Sequence, residues 1–138
     1  MTSQGDLPGR PLAAKLGIRP GDEVAVLGAP PGFTARLGPG AAAGLHTGLP
    51  GRGPLDVIIF FTAWQAALEE QLGELRAQLA PAGGLWVAWP KRAAKLPTDM
   101  SDHVVRAVAL PTGLVDNKVC AIDPVWTALR LVIRRELR

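Results

Sequence analysis

The stretch Asp56-Val57-Ile58-Ile59-Phe60-Phe61 is β-branched and aromatic after its first residue, the composition of a strand buried on both faces. Behind it Leu68, Leu72, Leu75 and Leu79 recur at helical spacing, with Glu69, Glu70, Glu74 and Arg76 on the other faces. Pro81-Ala82-Gly83-Gly84 then ends the predicted helix, and Leu85-Trp86-Val87-Ala88-Trp89 reads as a second buried strand. Strand, helix and strand so closely joined form a βαβ unit, which closes right-handed and makes its strands parallel. This unit commits the chain to an α/β fold.

The flanking segments extend the same plan. Pro11 suits the first turn of a short helix whose Leu12 and Leu16 share a face; Gly17 caps it, and Arg19-Pro20-Gly21-Asp22 is a turn. Val24-Ala25-Val26-Leu27 is another apolar strand, running straight into the loop Gly28-Ala29-Pro30-Pro31-Gly32. Residues 33–54 are dense in glycine and proline and leave room for one short strand or helix. Thr98 or Ser101 can cap a helix that turns Val104, Val105 and Val108 inward. Leu114–Ile122 and Leu129–Arg134 read as two strands joined through Asp123-Pro124, an antiparallel hairpin at one edge of the sheet. The expected fold is a three-layer Rossmann-like sandwich: a mostly parallel sheet with a C-terminal antiparallel hairpin. Residues 1–10 are expected to be a flexible arm and residues 11–138 a single domain.

Composition narrows the function classes. The chain has 138 residues and a net charge of +3, too small a charge to argue for nucleic acid by itself. From Lys91 onward nine basic residues face five acidic ones, and the end of the chain, Arg130 to Arg138, is locally basic. The single cysteine, Cys120, excludes an internal disulfide and a cysteine-built zinc site, and its apolar surroundings suit a buried thiol. The N-terminus lacks the pattern of a signal peptide, and no apolar run approaches the ~18 residues of a membrane span. A cytoplasmic location without membrane contact is expected.

In parallel sheets, ligands bind beyond the carboxyl ends of the strands. Three such ends carry Gly28, Pro30 and Gly32, then Thr62-Ala63-Trp64, then Trp89-Pro90-Lys91-Arg92. Side by side they would converge as one pocket for a planar or anionic ligand, with Trp64 and Trp89 stacking and Lys91 neutralising charge. In a regular strand Trp86 and Trp89 face opposite ways, so one of them belongs to the core. Asn117 and Lys118, in the polar triplet Asp116-Asn117-Lys118, mark either a bulge in the last hairpin or a ligand contact. Catalytic constellations are sparse: His46 and His103 have no sequence-adjacent ligand set, and no nucleophile elbow or Walker-type Gly-Lys-Ser/Thr occurs. Asp56 reads as a polar group at strand entry.

The element order resembles that of class I S-adenosylmethionine-dependent methyltransferases, with a shortened sheet. Leu55-Asp56-Val57-Ile58, Leu79-Ala80-Pro81-Ala82-Gly83-Gly84-Leu85 and the closing hairpin carry the likeness. It implies S-adenosylmethionine as the candidate cofactor. The cofactor-contacting positions depart from that pattern. Val26 stands at the acidic place of the first strand, Pro30 replaces the middle glycine of Gly-x-Gly-x-Gly, and Ala41 to Pro50 holds no acidic residue for a ribose. At closer range the chain is similar to the bacterial family designated domain of unknown function 3052. The similarity spans Pro11 to Arg135, through Leu16-Gly17-Ile18-Arg19-Pro20-Gly21, Val26-Leu27-Gly28-Ala29-Pro30, Trp86-Val87-Ala88-Trp89-Pro90-Lys91, Gly113 to Asp123 and Trp126. Together these readings favour a non-catalytic methyltransferase-like domain with no bound cofactor, which takes a small molecule or a protein partner at the rim. The alternatives are an active methyltransferase with an altered loop and RNA binding through Arg134 and Arg135.

Overall fold

The computed structural model describes residues 11–138, so the expected arm over residues 1–10 lies outside the described residues. Three short helices, α1 (Leu12–Lys15), α2 (Phe33–Arg36) and α3 (Pro39–Ala42), alternate with strands β1 (Val24–Leu27) and β2 (Leu45–Thr47). The βαβ unit follows as β3 (Leu55–Phe61), α4 (Gln65–Gln78) and β4 (Leu79–Pro90). Helix α5 (Asp102–Ala109) and the hairpin β5 (Leu114–Ala121) and β6 (Trp126–Ile133) complete it.

The six strands form one sheet in the order β2-β1-β3-β4-β6-β5. Strands β2, β1, β3 and β4 are mutually parallel, while β6 runs antiparallel between β4 and β5. Each face of the sheet carries its own core. On one, Ile58, Phe60, Leu85, Val87, Trp89, Leu129 and Leu131 pack against Leu68, Leu72 and Leu75 of α4 and Val105 and Ala109 of α5. On the other, Val24, Val26, Val57, Ile59, Phe61, Trp86 and Ala88 meet Leu12, Leu16, Phe33, Leu37 and Ala41 from the α1–α3 side. Burial on both faces explains the unbroken apolar runs. The three-layer, mostly parallel sandwich is as expected.

Several readings differ from the expectation; the last strand, β6, begins at Trp126 and not at Leu129. Leu79 continues the helical spacing of Leu68, Leu72 and Leu75, yet α4 stops at Gln78 and Leu79 pairs with Leu55 as the first residue of β4. The apolar period cannot signal this change, because position 79 faces the core in either conformation. The register then jumps, so that Val57 pairs with Gly84 and residues 80–83 lie in the irregular stretch. Residues 33–54 hold more structure than expected: two single-turn helices and the three-residue edge strand β2.

Two contacts anchor the layers. The Trp86 indole, 1% exposed, donates its Nε1–H to the Leu16 carbonyl at 2.9 Å, tying the end of α1 to the centre of the sheet. Gly28 closes β1 with φ +68°, and a Cβ placed there would stand 2.7 Å from the Phe61 carbonyl oxygen at the end of β3. Only glycine fits on both counts. At the strand entrance, the Asp56 carboxylate accepts from the Glu23 amide at 2.8 Å, the structural role read for it from sequence. Trp86→Phe keeps most of the apolar volume but strands the buried Leu16 carbonyl, and is expected to cost about 1–3 kcal/mol in urea unfolding. Gly28→Ala is expected to lower the unfolding free energy by at least a similar amount, about 1–3 kcal/mol, through backbone strain and the close approach of the new Cβ to the Phe61 carbonyl. Wild-type midpoints for either variant would contradict these contacts.

Candidate functional site

The rim at the carboxyl ends of the parallel strands is where the sequence placed a single pocket, and here the structure departs from it. A cavity of about 560 Å³ lies under the β1 loop, lined by Val26 through Gly32 with Thr34, Thr47 and Gly48. Gly28, Pro30 and Gly32 therefore share one site, completed by the end of β2. A second cavity of about 550 Å³ lies beyond β4, lined by Trp89, Pro90, Arg92, Leu96, Thr98 through Asp102. The two cavities share no residue, and Trp64 and Lys91 line neither.

Strand parity explains the split. Trp86 and Trp89 point to opposite faces of β4, as their spacing predicts, but both are core residues, with Trp89 only 7% exposed. Trp89 thus packs on the α4–α5 side. The β1 loop instead leads into α2, whose Phe33 packs on the other face against Phe61, ring centroids 4.8 Å apart. Trp64 is 50% exposed at the N-cap of α4, where it can meet a partner but stacks on nothing in either cavity. Lys91 is held by its backbone: its amide donates to the Val125 carbonyl at 2.7 Å, fastening the end of β4 to the β5–β6 turn. Asn117 and Lys118 are remote from this rim, on edge strand β5 two places from β4. The register there skips a residue between Asp116 and Lys118, so Asn117 is a β-bulge.

The chemistry of the β1-loop cavity follows from its lining. None of its residues carries a formal charge. Pro30 and Pro31 have no N–H, and the Phe33 amide is spent on the Pro30 carbonyl at 3.2 Å. The Gly48 amide is likewise spent, on the Val26 carbonyl at 2.9 Å, and the polar side chains are the hydroxyls of Thr34 and Thr47. Helix α2 is a single turn, too short for a substantial dipole. The cavity suits an uncharged ligand.

The second cavity is polar and charged. Asp99 Oδ1 accepts from the Gln65 amide at 2.7 Å, capping α4 from a distant loop, while Thr98 Oγ1 donates to the Ala63 carbonyl at 2.6 Å. Ser101 caps α5 by accepting from the Val104 amide. Asp102 is held below its ordinary carboxylate range, first by the His103 amide and then by Arg106, against an opposing effect of burial. Since its folded value is depressed, the small stabilisation from Asp102 is present above its unfolded value and fades as pH falls through the folded one. Arg106 also binds Asp116 at 3.0 Å, which raises its guanidinium above the usual value.

Sequence reading missed two through-space pairs. His46 Nε2 lies 2.9 Å from Glu23 Oε1, although 23 positions separate them, because β2 and β1 are neighbours. Asp99 reaches α4 across 34 positions. Neither leaves a mark on local spacing. Among the described residues no group of three or more His, Cys, Asp or Glu is placed to hold a metal ion, and no helix is long and apolar enough to cross a membrane.

No protein-family model and no curated protein matches the sequence. Solved structures do match. A methyltransferase from Aquifex aeolicus described as S-adenosylmethionine-dependent superposes with TM-score 0.61 at 14% identity, covering 88% of this chain and 87% of the other. Fibrillarin from Aeropyrum pernix, with natively bound S-adenosylmethionine, gives 0.58 at 17% identity over 91% of this chain and 70% of the other. Magnesium protoporphyrin IX methyltransferase from Synechocystis, with bound S-adenosylmethionine, gives 0.60 at 14% identity, over 88% and 74%. The chain has the Rossmann-like fold of these methyltransferases.

Proposed function

We propose that the chain is a non-catalytic domain of methyltransferase-like fold, working in the cytoplasm, that binds a small uncharged molecule in the cavity beneath Gly28, Pro30 and Gly32. The observation that carries this reading is a cavity at the tip of the first strand whose lining holds no charged side chain and whose loop contains two prolines. S-adenosylmethionine carries a sulfonium and an ammonium cation, a carboxylate and a ribose diol. A carboxylate would offset the cations or accept from the diol, and main-chain amides would hold the ligand's own carboxylate. Desolvating the cations and the diol with no carboxylate in place is costly. Val26 and the acid-free segment after β2 supply no carboxylate, and the prolines remove two donors. Kinship with the family designated domain of unknown function 3052 is part of this proposal and rests on the residues quoted above.

The rival reading, an active methyltransferase with an altered loop, draws on the cofactors of the structural neighbours. Calorimetric titration of the purified protein separates the two. S-adenosylmethionine and S-adenosylhomocysteine are expected to give no saturable heat up to millimolar concentration, and micromolar binding of either would overturn the non-catalytic reading. Native mass spectrometry is expected to find a neutral small molecule retained by the wild-type chain. Thr47→Trp, which places an indole in the cavity mouth from an exposed edge-strand position, is expected to remove it; equal retention by this variant would refute the proposed site.

A further inference from the structure

The bulge at Asn117 has a second effect. In a regular strand Asp116 and Lys118 would share a face. The inserted residue instead sets Asp116 opposite Leu131 and Lys118 opposite Arg130. Asp116 therefore turns to the α5 side, where Arg106 takes its carboxylate at 3.0 Å. Lys118 turns to the other face, directly across from Arg130, and like charges in that position repel.

Among the described residues nothing acidic relieves the pair. Arg130 has one polar partner, Asn117 Oδ1 at 3.4 Å from its Nη1, and among the described residues neither Arg130, Lys118 nor Arg138 makes an ion pair. Glu136, the acidic residue of the last segment, is engaged with Arg134 at 3.9 Å. Burial and, after it, the charge of Arg138 both press the Arg130 guanidinium below its ordinary value. The side chain is nonetheless fixed in place. It lies over the backbone of β4 at Gly84, where a Cβ would meet its Cζ and Nη2 at 2.7 Å. Arg138 is tethered too, its Nε donating to the Ile133 carbonyl at 2.7 Å.

We propose that Lys118 and Arg130 form an anion site for a single phosphate group, assembled by the Asn117 bulge and floored by Gly84. The two cations, that of Arg130 preorganised, recover their mutual repulsion when a dianion is bound. The nearby aromatic residue, Trp86 opposite Arg130, is 1% exposed and cannot stack on a base, so the site favours one phosphate over a nucleic-acid strand. This site is independent of the cavity under Gly28.

The test is thermal unfolding of the whole protein in sodium phosphate against sodium chloride at matched ionic strength. A saturable rise in the midpoint with phosphate is expected. Lys118→Gln is expected to raise the midpoint in chloride, by removing the like-charge pair, while weakening phosphate binding about tenfold. Lys95→Gln, at an exposed position elsewhere, should change neither. A purely structural role for Lys118 would not produce opposite signs in the two salts. Glycerol 2-phosphate acting as well as inorganic phosphate would place the group on an organic ligand; action of inorganic phosphate alone would make the free ion the ligand. Equal midpoints in the two salts, or undiminished phosphate binding by Lys118→Gln, would overturn the site. So would tight retention of a uridine dodecamer with a salt dependence spanning several phosphates.

Discussion

Strand β3 is apolar on both faces and pairs with β1 on one side and β4 on the other. Everything else in the structure is arranged around that two-sided burial. Because neither face of β3 can meet water, helices must cover both, and a small chain has to divide its limited helical content between them. The division is unequal. The α4–α5 side has helices of 14 and 8 residues, whereas α1, α2 and α3 have four each. Short helices cannot cover a face by themselves, so the second core draws on loop residues such as Leu16, Ile18 and Leu37. The Trp86 bond to the Leu16 carbonyl fixes the thinner layer where helix length cannot.

That economy shapes the candidate site. Between β1 and β3 the chain has only residues 28–54 in which to leave the sheet, cover a face, add β2 and return. Single-turn helices result, and with them a β1 loop that is stiffened by Pro30 and Pro31 and pinned where Gly28 passes the Phe61 carbonyl. The glycine retained at position 28 is therefore explained by close packing on β3. It need not report a ligand, and the cavity beneath the loop has to be judged by its lining, which is uncharged.

The sheet was legible because fully buried strands are also continuous apolar runs, as at 57–61 and 85–89, and because Leu68, Leu72 and Leu75 keep strict helical spacing. The end of α4 was hidden since Leu79 satisfies both the helical period and strand burial. Residues 33–54 resisted reading for another reason: glycine and proline report where the chain turns, and a three-residue strand has too few positions to show alternation. The rim was only half legible. Strand ends could be placed, but which face each side chain takes depends on parity and on the helices above it. Trp89 is drawn into the α4–α5 core, and Gly28 opens under α2. His46 with Glu23, and Asp99 with Gln65, are products of strand adjacency and loop return that local spacing does not encode.

The Asp116-Asn117-Lys118 triplet shows how one extra residue can matter beyond the strand that holds it. A bulge is usually explained by edge protection, and an exposed β5 with Lys118 fits that account. Edge protection alone, however, does not require the lysine to face another cation. Had the strand run regularly, Asn117 would oppose Arg130 and the repulsion would vanish. The same insertion that gives Arg106 its carboxylate partner on one face deprives Arg130 of one on the other. A fold that accepts this cost at a half-buried arginine, over a glycine that leaves room for it, is built to hold positive charge there.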